Sequence, residues 1–433
     1  MTSRRQFLKN SAAIGAAAVA SSFISRSAYA AGSDEIRVGV IGCGGRGSDA
    51  AMNNVLVAAE NVKIVSLGDV FKEPIDRLRR ALTAKYGKDK VDIPDDRVHV
   101  GLDAYEKVIN DDVNYVILAS PPGFRPLHLE AAVKAGRHIF TEKPVCVDGP
   151  GYRRCIKAYE EAKAKKLGIV AGTQRRHQAG YIDTIRRIHD GAIGEIVSAR
   201  CYWNGGDIWF KERLPGMTDV AYHCYNWYHF LWTCGDHIVE QHIHNIDVIN
   251  WAMQAVPVRA SGMGGRSRRD PSDPRERPDP RVAGQIFDHF AVEFTYGNGV
   301  VLHSYCRQIT GCDGNISEAL VGTKGRAQVN DYQINGKRVF QGREQNPYIQ
   351  EHTDLIESIR RGEPLNELKT VSDSSLTAIM GRMATYTGRE VTWEEAANSE
   401  EDTYPKNLTW DMSLDVAPAP IPGSGQRRRP RRS

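Results

Sequence analysis

The sequence lacks the Cys-x-x-Cys pairs that are typical of zinc and redox sites. It has eight cysteines in 433 residues, and no two of them stand at that spacing. We interpret most of them as small buried hydrophobic residues. Internal repeats are also lacking, and the length suits two domains or one large two-lobed unit.

The chain also lacks a large excess of positive or of negative charge, once its two ends are set aside. The formal net charge is +4, but four basic residues and no acidic ones fall in the first 30 residues. Five arginines follow residue 425, again without an acid. The body between is therefore slightly acidic, and nothing in it predicts a nucleic-acid-binding surface. Residues 418–433, rich in Pro, Gly and Arg, are predicted to be a disordered tail.

The first 30 residues have the pattern of an export signal. Residues 3–9 read Ser-Arg-Arg-Gln-Phe-Leu-Lys, which is typical of the twin-arginine route. The apolar segment 12–24 is short and rich in Ala, which makes it a poor membrane span. Residues 28–30, Ala-Tyr-Ala, form a typical cleavage site. We expect residues 1–30 to be removed after contact with the twin-arginine export machinery, leaving a periplasmic or extracellular protein without stable membrane insertion; an uncleaved anchor is the alternative.

A glycine-rich segment follows the first apolar run of the remaining chain. Residues 36–41 are typical of a buried parallel strand. Gly42, Gly44 and Gly47 come next, and a helix-compatible stretch begins at Ser48. A strand, a glycine turn and a helix in this order present backbone N–H groups and a helix N-terminus to a dinucleotide pyrophosphate.

Asp69 follows the second predicted strand, residues 62–67, and lies 27 residues after Gly42. This is close to the position of the acidic residue that binds the adenosine ribose in dinucleotide-binding domains. A carboxylate there repels a 2′-phosphate, so we predict NAD as the cofactor. Lys72 weakens that preference, and NADP stays an alternative. Asp69 has a second interpretation, as a cap of the next helix.

The predicted compartment bears on how the cofactor is held. The twin-arginine route carries folded proteins, and a periplasm has no free nicotinamide pool. We therefore expect a dinucleotide that is loaded before export and remains tightly bound.

The second informative motif is Glu142-Lys143-Pro144, which follows a predicted strand at 138–141. Strand and helix patterns alternate over 35–172, which predicts a doubly wound α/β domain. The motif then lies at the carboxyl ends of parallel strands, where such sheets bind ligands. A dinucleotide and a positioned lysine together indicate hydride chemistry on an alcohol or a ketone.

The second half of the chain, residues 173–395, is predicted to be an α+β domain with an open-faced, mostly antiparallel sheet. Residues 268–281, rich in Pro and charge, are predicted to be a loop. The helical pattern at 348–386 either packs back on the first domain or braces the sheet. The predicted strands of this half span 195–203, 287–294, 300–308, 325–329 and 332–340.

Taken together, the three glycines, Glu142-Lys143-Pro144 and the segment 235–251 resemble the Gfo/Idh/MocA family, in a twin-arginine-exported branch. The resemblance covers residues 35 to about 395. It implies a Rossmann domain followed by an α+β domain whose open sheet serves as a subunit interface, and hence a homo-oligomer. It also implies oxidation or reduction of sugars and cyclitols with NAD(P), and a cis bond before Pro144.

The resemblance implies three catalytic residues, Lys143, Glu240 and His244. Lys143 is expected to touch both nicotinamide and substrate. Glu240 stands where the family has Asp, and His242 replaces a small residue. His244 suits the role of the base, Lys143 that of stabilising an alkoxide, and Glu240 that of orienting His244 or holding a sugar hydroxyl. A spacing of four on one helix places Glu240 and His244 on one face.

The site residues predicted from motifs and resemblance fall into two groups. The dinucleotide-binding residues are Gly42, Gly44, Arg46, Gly47, Asp69, Ser120, Pro121, His128, Glu142 and Lys143. The substrate-binding residues are Lys143, Arg175, Arg176, Glu240 and His244. Four tryptophans, Trp203, Trp209, Trp227 and Trp232, either stack on sugar rings or pack in the core.

Three other interpretations stay open. The closest keeps the cofactor but makes the reaction redox-neutral, as in NAD-dependent glycosidases and enzymes that process 3-keto-glycosides. A non-catalytic sugar-binding protein is a second. A metal-dependent hydrolase is a third, because four potential metal ligands lie close together in the sequence: His237, Glu240, His242 and His244. Their spacing is one residue off known helical zinc motifs. We therefore predict no metal site.

Overall fold

A computed structural model describes residues 35–267 and 279–424. The predicted signal peptide, most of the predicted loop at 268–281, and residues 425–433 of the predicted tail lie outside the described residues. Among the described helices, none is both long enough and apolar enough to cross a membrane.

The first sheet has six parallel strands in the order β3-β2-β1-β4-β5-β6. Alternate residues of its strands enter two different hydrophobic clusters: Val116 and Leu118 face one, Tyr115 and Ile117 the other. Both faces are therefore buried, as the apolar strand runs predicted. The strands are β1 (Ile36–Ile41), β2 (Val62–Asp69), β3 (Val98–Val100), β4 (Tyr115–Leu118), β5 (His138–Thr141) and β6 (Ile169–Ala171).

Helices cover both faces of this sheet. Helix α1 (Gly45–Asp49) continues into a π-helical segment, Ala50–Val55, and ends in a short α-helical turn, Leu56–Ala58. The other helices of this half are α2 (Lys72–Lys85), α3 (Ala104–Asn110), α4 (Arg125–Lys134) and α5 (Gly149–Ala164), with 3₁₀ turns at Asp95–Arg97, Pro122–Phe124 and Gln174–His177. The prediction of a Rossmann-type parallel sheet is confirmed.

The second sheet has nine strands in the order β14-β13-β12-β11-β7-β10-β9-β8-β15. All pairings are antiparallel except β7 with β10, so the predicted mostly antiparallel sheet is confirmed. The strands are β7 (Ile196–Gly205), β8 (Pro257–Gly265), β9 (His289–Tyr296), β10 (Val301–Gln308), β11 (Asn315–Gly322), β12 (Gly325–Gln328), β13 (Gln333–Ile334), β14 (Lys337–Arg338) and β15 (Val391–Thr392).

One face of this sheet packs on helices, while Met263, Tyr305 and Val321 are exposed on its strands. The helices of this half are α6 (Ala179–His189), α7 (Asp219–Tyr225), α8 (Leu231–Cys234), α9 (His237–Glu240), α10 (Ile243–Met253), α11 (Pro280–Ala283), α12 (Pro347–Arg360), α13 (Leu368–Thr387) and α14 (Trp393–Ala397), with a 3₁₀ turn at Trp227–His229. Helix α12 places Leu355 and Ile356 in the core of the first sheet, whereas α13 packs between α5 and strand β8.

One predicted strand and part of the predicted tail differ from the structure. The single strand predicted at 332–340 is two short strands joined by Asn335-Gly336, whose φ angles of +52° and +76° suit a two-residue hairpin turn. Residues 418–424, predicted to be disordered, lie against the end of α13, where the Gly423 N–H donates to the Thr387 carbonyl (3.2 Å).

Candidate active site

A cavity of about 1030 Å³ lies between the carboxyl edge of the first sheet and the second half of the chain. Both halves contribute to its wall. Most of the predicted site residues line it, namely Gly42, Gly44, Arg46, Asp69, Ser120, Pro121, His128, Glu142, Lys143, Glu240 and His244.

The glycine turn has the geometry that a dinucleotide requires. Gly42 has φ +92°, and a Cβ there would stand 2.5 Å from the Ser120 nitrogen. A Cβ on Gly47 would stand 1.8 Å from the Gly42 carbonyl oxygen, so this glycine lets α1 pack closely on the turn. A Cβ on Gly44 would meet no atom of the described residues within 4 Å. The space beside Gly44 is open toward the cavity, which fits the close approach of a pyrophosphate.

Asp69 ends β2 and lines the cavity. Its Oδ2 accepts the Cys43 N–H (2.7 Å), and its Oδ1 accepts the Phe71 N–H (3.0 Å). Burial raises the pKa of the Asp69 carboxyl, against the effect of these hydrogen bonds. Phe71 precedes α2 and has no side-chain cap. Asp69 thus joins the glycine turn to the end of β2, rather than capping α2 itself.

Ser120, Pro121 and His128 line the wall beyond β4. The His128 ring stacks on Tyr105, with 4.2 Å between ring centroids, and its Nδ1 lies 3.5 Å from the Ser120 Oγ. Burial and the charge of Arg125 lower the pKa of His128 to about 3. This histidine is therefore neutral at physiological pH.

Arg46 and Glu142 form an ion pair across the cavity edge. The Arg46 Nε donates to the Glu142 Oε1 (2.5 Å), and the guanidinium lies 4.7 Å from the centroid of the Tyr348 ring. Burial acts to raise the pKa of Glu142, but the charges of Arg46 and Arg125 outweigh it and hold the pKa below its usual value. Glu142 is therefore ionised, and it fixes Arg46 beside the glycine turn.

Lys143 lies in the turn after β5, and the bond to Pro144 is cis, as the resemblance implies. The Lys143 Nζ donates to the backbone carbonyl of Glu240 and to its Oε1 (3.1 Å). Both side chains are buried. The Arg125 Nη1 donates to the Pro144 carbonyl (2.5 Å) and so holds this turn from behind.

The predicted single helix through Glu240 and His244 is wrong. Helix α9 ends at Glu240, Gln241 and His242 form a turn, and α10 begins at Ile243. The two side chains therefore do not share a helix face. They nevertheless line the same cavity, because the turn redirects the chain between them.

His244 is buried and stacks on Trp203, with 5.7 Å between ring centroids. Burial lowers the pKa of His244 well below its usual value, and the charges of Lys143, Arg175 and Arg46 lower it further. The imidazole is therefore neutral at physiological pH, which is the form that accepts a proton.

The histidines near Glu240 turn to different partners. The His237 Nδ1 faces the Tyr228 hydroxyl (3.4 Å), and the His242 Nε2 faces the Ser304 hydroxyl (2.7 Å). Over residues 35–267 and 279–424, no three His, Cys, Asp or Glu side chains converge in a way that holds a metal ion. The geometry therefore gives the hydrolase interpretation no support.

Arg175 and Arg176, predicted to bind substrate, are not among the residues that line this cavity in the described part of the chain, and Arg175 lies 6.0 Å from the centroid of the Trp203 ring that stacks on His244. The Arg175 Nη1 donates to the Glu318 Oε1 (2.5 Å), and Arg176 binds both oxygens of Asp247 (2.8 and 2.9 Å). Buried carboxylates require such partners. Both arginines thus tie the loop after β6 to the second half of the chain.

The four tryptophans have different environments. Trp209 and Trp227 line the cavity, and Trp203 lies behind His244. Trp232 is buried against Phe124 in a separate cluster. Core packing therefore accounts for Trp232, while the first two face the ligand space.

Several cavity residues were not predicted. Some follow β4 or begin α12, and others come from the segment between β7 and α8, which has no periodic pattern. Only their aromatic and basic composition offered a signal. They include Arg125, Lys211, Tyr225 and Tyr348.

Comparison with known proteins agrees with this architecture. Residues 36–172 match the oxidoreductase family with an NAD-binding Rossmann fold, GFO_IDH_MocA, and residues 182–328 match the GFO/IDH/MocA C-terminal domain. Inositol 2-dehydrogenase 1 of Saccharopolyspora erythraea is 27% identical over 296 residues, which cover 66% of this chain and 75% of that protein.

Two further relatives extend the comparison. The inositol 2-dehydrogenase/D-chiro-inositol 3-dehydrogenase of Shouchella clausii is 27% identical over 218 residues, 50% of this chain and 53% of that protein. The match thus spans about half the length of this relative. The structure of scyllo-inositol dehydrogenase from Lactobacillus casei, with NAD(H) and scyllo-inositol bound, superposes with a TM-score of 0.61 at 17% identity and covers 83% of this chain and 99% of that one. From the two matched domains, this chain belongs to the Gfo/Idh/MocA family of NAD-binding oxidoreductases.

Proposed function

We propose that this protein transfers a hydride between NAD and a hydroxyl-bearing or keto carbon of a cyclitol, sugar or glycoside. One observation carries the proposal: a single cavity joins the glycine turn to Lys143, Glu240 and His244. The names of the sequence relatives, which are inositol dehydrogenases, support a ring with several hydroxyl groups as the substrate.

The first half of the chain supplies the cofactor contacts. The turn at Gly42 and Gly44 and the start of α1 suit the pyrophosphate, and Asp69 suits the adenosine ribose. A nicotinamide held by these residues would supply the hydride chemistry. Asp69 favours NAD; Lys72, which would favour NADP, is paired with Asp76 (2.5 Å).

The charges around His244 indicate where the proton of the alcohol goes. Oxidation of a secondary alcohol removes a hydride from carbon and a proton from oxygen. Neutral His244 accepts that proton, and the Lys143 ammonium stabilises the negative charge that develops on the oxygen. Glu240 holds Lys143 in place through two hydrogen bonds. In the reductive direction, His244 returns the proton to the oxygen.

Lys143→Met is the direct test of this assignment. Removing a charge that acts mainly on the transition state is expected to lower kcat by about 10²–10³-fold. Binding of the dinucleotide, measured by fluorescence titration, should fall far less than kcat, because the glycine turn and Asp69 remain. Lys107→Met, at an exposed lysine of α3 paired with Asp103, is the control. Near-normal turnover of Lys143→Met would rule out the role of Lys143.

A redox-neutral reaction is the second candidate, and the position of the cavity between the two halves of the chain supports it, since a cofactor retained there would return its hydride in the same site. The two cases separate in one assay. The protein with its own cofactor is given cyclitols, sugars and glycosides while nicotinamide absorbance and sugar products are followed together. Net reduction supports the dehydrogenase; release of an aglycone without net reduction supports the redox-neutral enzyme.

We also propose that the protein is exported by the twin-arginine route, that it holds its dinucleotide tightly, and that it is a homo-oligomer. The motif at residues 3–9 supports export, and the exposed side chains on the open sheet support self-association. Replacing Arg4 and Arg5 by Lys should keep the protein in the cytoplasm. Light scattering of the mature chain should give more than one protomer.

A further inference from the structure

The chain continues past the family resemblance and crosses the molecule again. The segment 399–416, which we call the clasp, lies beyond both matched family regions. Its first anchor is Asp148, which lies shortly after the Lys143 turn and caps α5. The Asp148 Oδ2 accepts both the N–H (2.8 Å) and the hydroxyl (2.6 Å) of Thr403.

The second anchor of the clasp is on the other half of the molecule. The Asp219 Oδ2 accepts the Leu414 N–H and the Ser413 hydroxyl, both at 3.0 Å. Asp219 begins α7, whose Tyr225 lines the cavity. One continuous segment therefore ties the first half of the chain to the cavity wall that the second half supplies.

Two aromatic residues of the clasp pack between these anchors. Tyr404 lies edge-on to Phe124 and to Trp232, with 5.8 Å between centroids in each case. Trp410 lies edge-on to Phe71, also at 5.8 Å. Phe71 and Phe124 line the cavity on their other sides. The clasp thus supports the cavity wall from outside.

Asp69, which suits the adenosine ribose, lies two residues before Phe71. The adenosine end of a dinucleotide would therefore lie in the cavity beside Phe71. Phe71 contacts the Tyr225 ring (6.3 Å between centroids) from the opposite half. The Lys211 Nζ lies 4.4 Å from the centroid of the same Tyr225 ring. A dinucleotide bound in the cavity would lie beside this contact between the two halves.

We propose that the clasp locks the two halves over the adenosine end of the dinucleotide, so that the cofactor stays bound between turnovers. This rests on the proposed function for the identity of the cofactor. The two anchors and the two aromatic contacts of the clasp hold the halves together. The most important residue among them is Trp410, which holds Phe71 against Tyr225.

The test measures release of the dinucleotide without any sugar. Protein loaded with NADH is mixed with excess NAD, and the loss of bound-NADH fluorescence gives the release rate. An aromatic pair contributes about 0.5–1.5 kcal/mol, so Trp410→Ala should speed release about two- to tenfold. Trp410→Phe keeps an aromatic ring against Phe71 and should release at close to the wild-type rate.

Trp393→Ala is the matched control, because Trp393 packs on Tyr152 near the same end of the chain and does not line the cavity. Its release rate should equal that of the wild type. Equal acceleration by Trp393→Ala, or none by Trp410→Ala, overturns the proposal. Because release is measured without sugar, faster NADH release from Trp410→Ala than from Trp393→Ala supports the clasp even in a protein that oxidises no sugar, and the missing oxidation would then contradict only the proposed function.

Discussion

At the residue scale, Asp69 accepts N–H groups from the glycine turn and from the loop before α2. Asp69 also lines the cavity, where a ribose hydroxyl would donate to its carboxylate. Asp69→Ala removes a charged acceptor, so we expect NAD affinity to fall about ten- to hundredfold. Isothermal titration with NAD and NADP measures this.

Asp69→Asn refines that experiment, since it keeps an acceptor but removes the negative charge. We expect the ratio of NADP to NAD affinity to rise, because a 2′-phosphate is no longer repelled. Asp76→Ala, at a carboxylate of α2 that pairs with Lys72, controls for general charge loss. If Asp69→Ala binds NAD as tightly as the control variant, Asp69 does not hold the ribose.

Single residues also show which contacts the sequence did not predict. Lys143 and His244 were predicted to share a site, and the structure brings them to one cavity. Arg175 and Arg176 were predicted beside them for their position after a strand of the first sheet. Their partners, Glu318 and Asp247, lie more than seventy residues away in the chain. An ion pair of that kind leaves no local pattern, so its arginine resembles a free ligand in the sequence.

At the element scale, the glycine turn and α1 offer a matched pair of substitutions. Gly→Ala inside a helix normally stabilises a protein, yet a Cβ on Gly47 would stand 1.8 Å from the Gly42 carbonyl. We expect Gly47→Ala to lower the free energy of unfolding by about 1–3 kcal/mol. Urea unfolding measures this, and an unchanged or higher stability would contradict the close packing.

Gly44→Ala separates folding from binding at the same turn. Over residues 35–267 and 279–424, no atom lies within 4 Å of the added Cβ, and the φ of −66° suits alanine. Stability should therefore change by less than about 0.5 kcal/mol. NAD affinity should nevertheless fall, because the methyl group stands where the pyrophosphate approaches. Loss of stability with unchanged NAD affinity would contradict this assignment.

Elements with a strong period were predictable, and those held only by distant contacts were not. Strands β1 and β5 have the predicted bounds, since buried parallel strands are continuous apolar runs. The apolar residues on either side of Gln241 and His242 keep a helical spacing. The break between α9 and α10 was therefore not predicted. The clasp has no period at all: its order comes from Asp148, Asp219 and the aromatic residues that it covers.

At the scale of the whole molecule, the late helices connect the two sheets. Helix α12 completes the core of the first sheet, and α13 packs on α5 and on the second sheet. His177, in the loop after β6, lies between these helices. Its Nδ1 is 2.6 Å from the Asp354 carboxylate of α12, and its Nε2 is 3.2 Å from the Glu367 carboxylate just before α13. One buried imidazolium thus joins three parts of the chain.

The charge of His177 predicts how global stability depends on pH. Burial acts to lower its pKa, but Asp354 and Glu367 outweigh burial and raise it to about 10. The unfolded value is about 6.5, so the stabilisation is complete below about pH 6.5 and is lost as the pH rises through 10. The melting temperature of His177→Gln should therefore fall furthest below wild type at about pH 6, with the difference narrowing toward about pH 10. His189→Gln, at an exposed histidine that faces carbonyl oxygens, should show little difference at either pH. A deficit for His177→Gln that does not change with pH would mean that the side chain contributes packing alone.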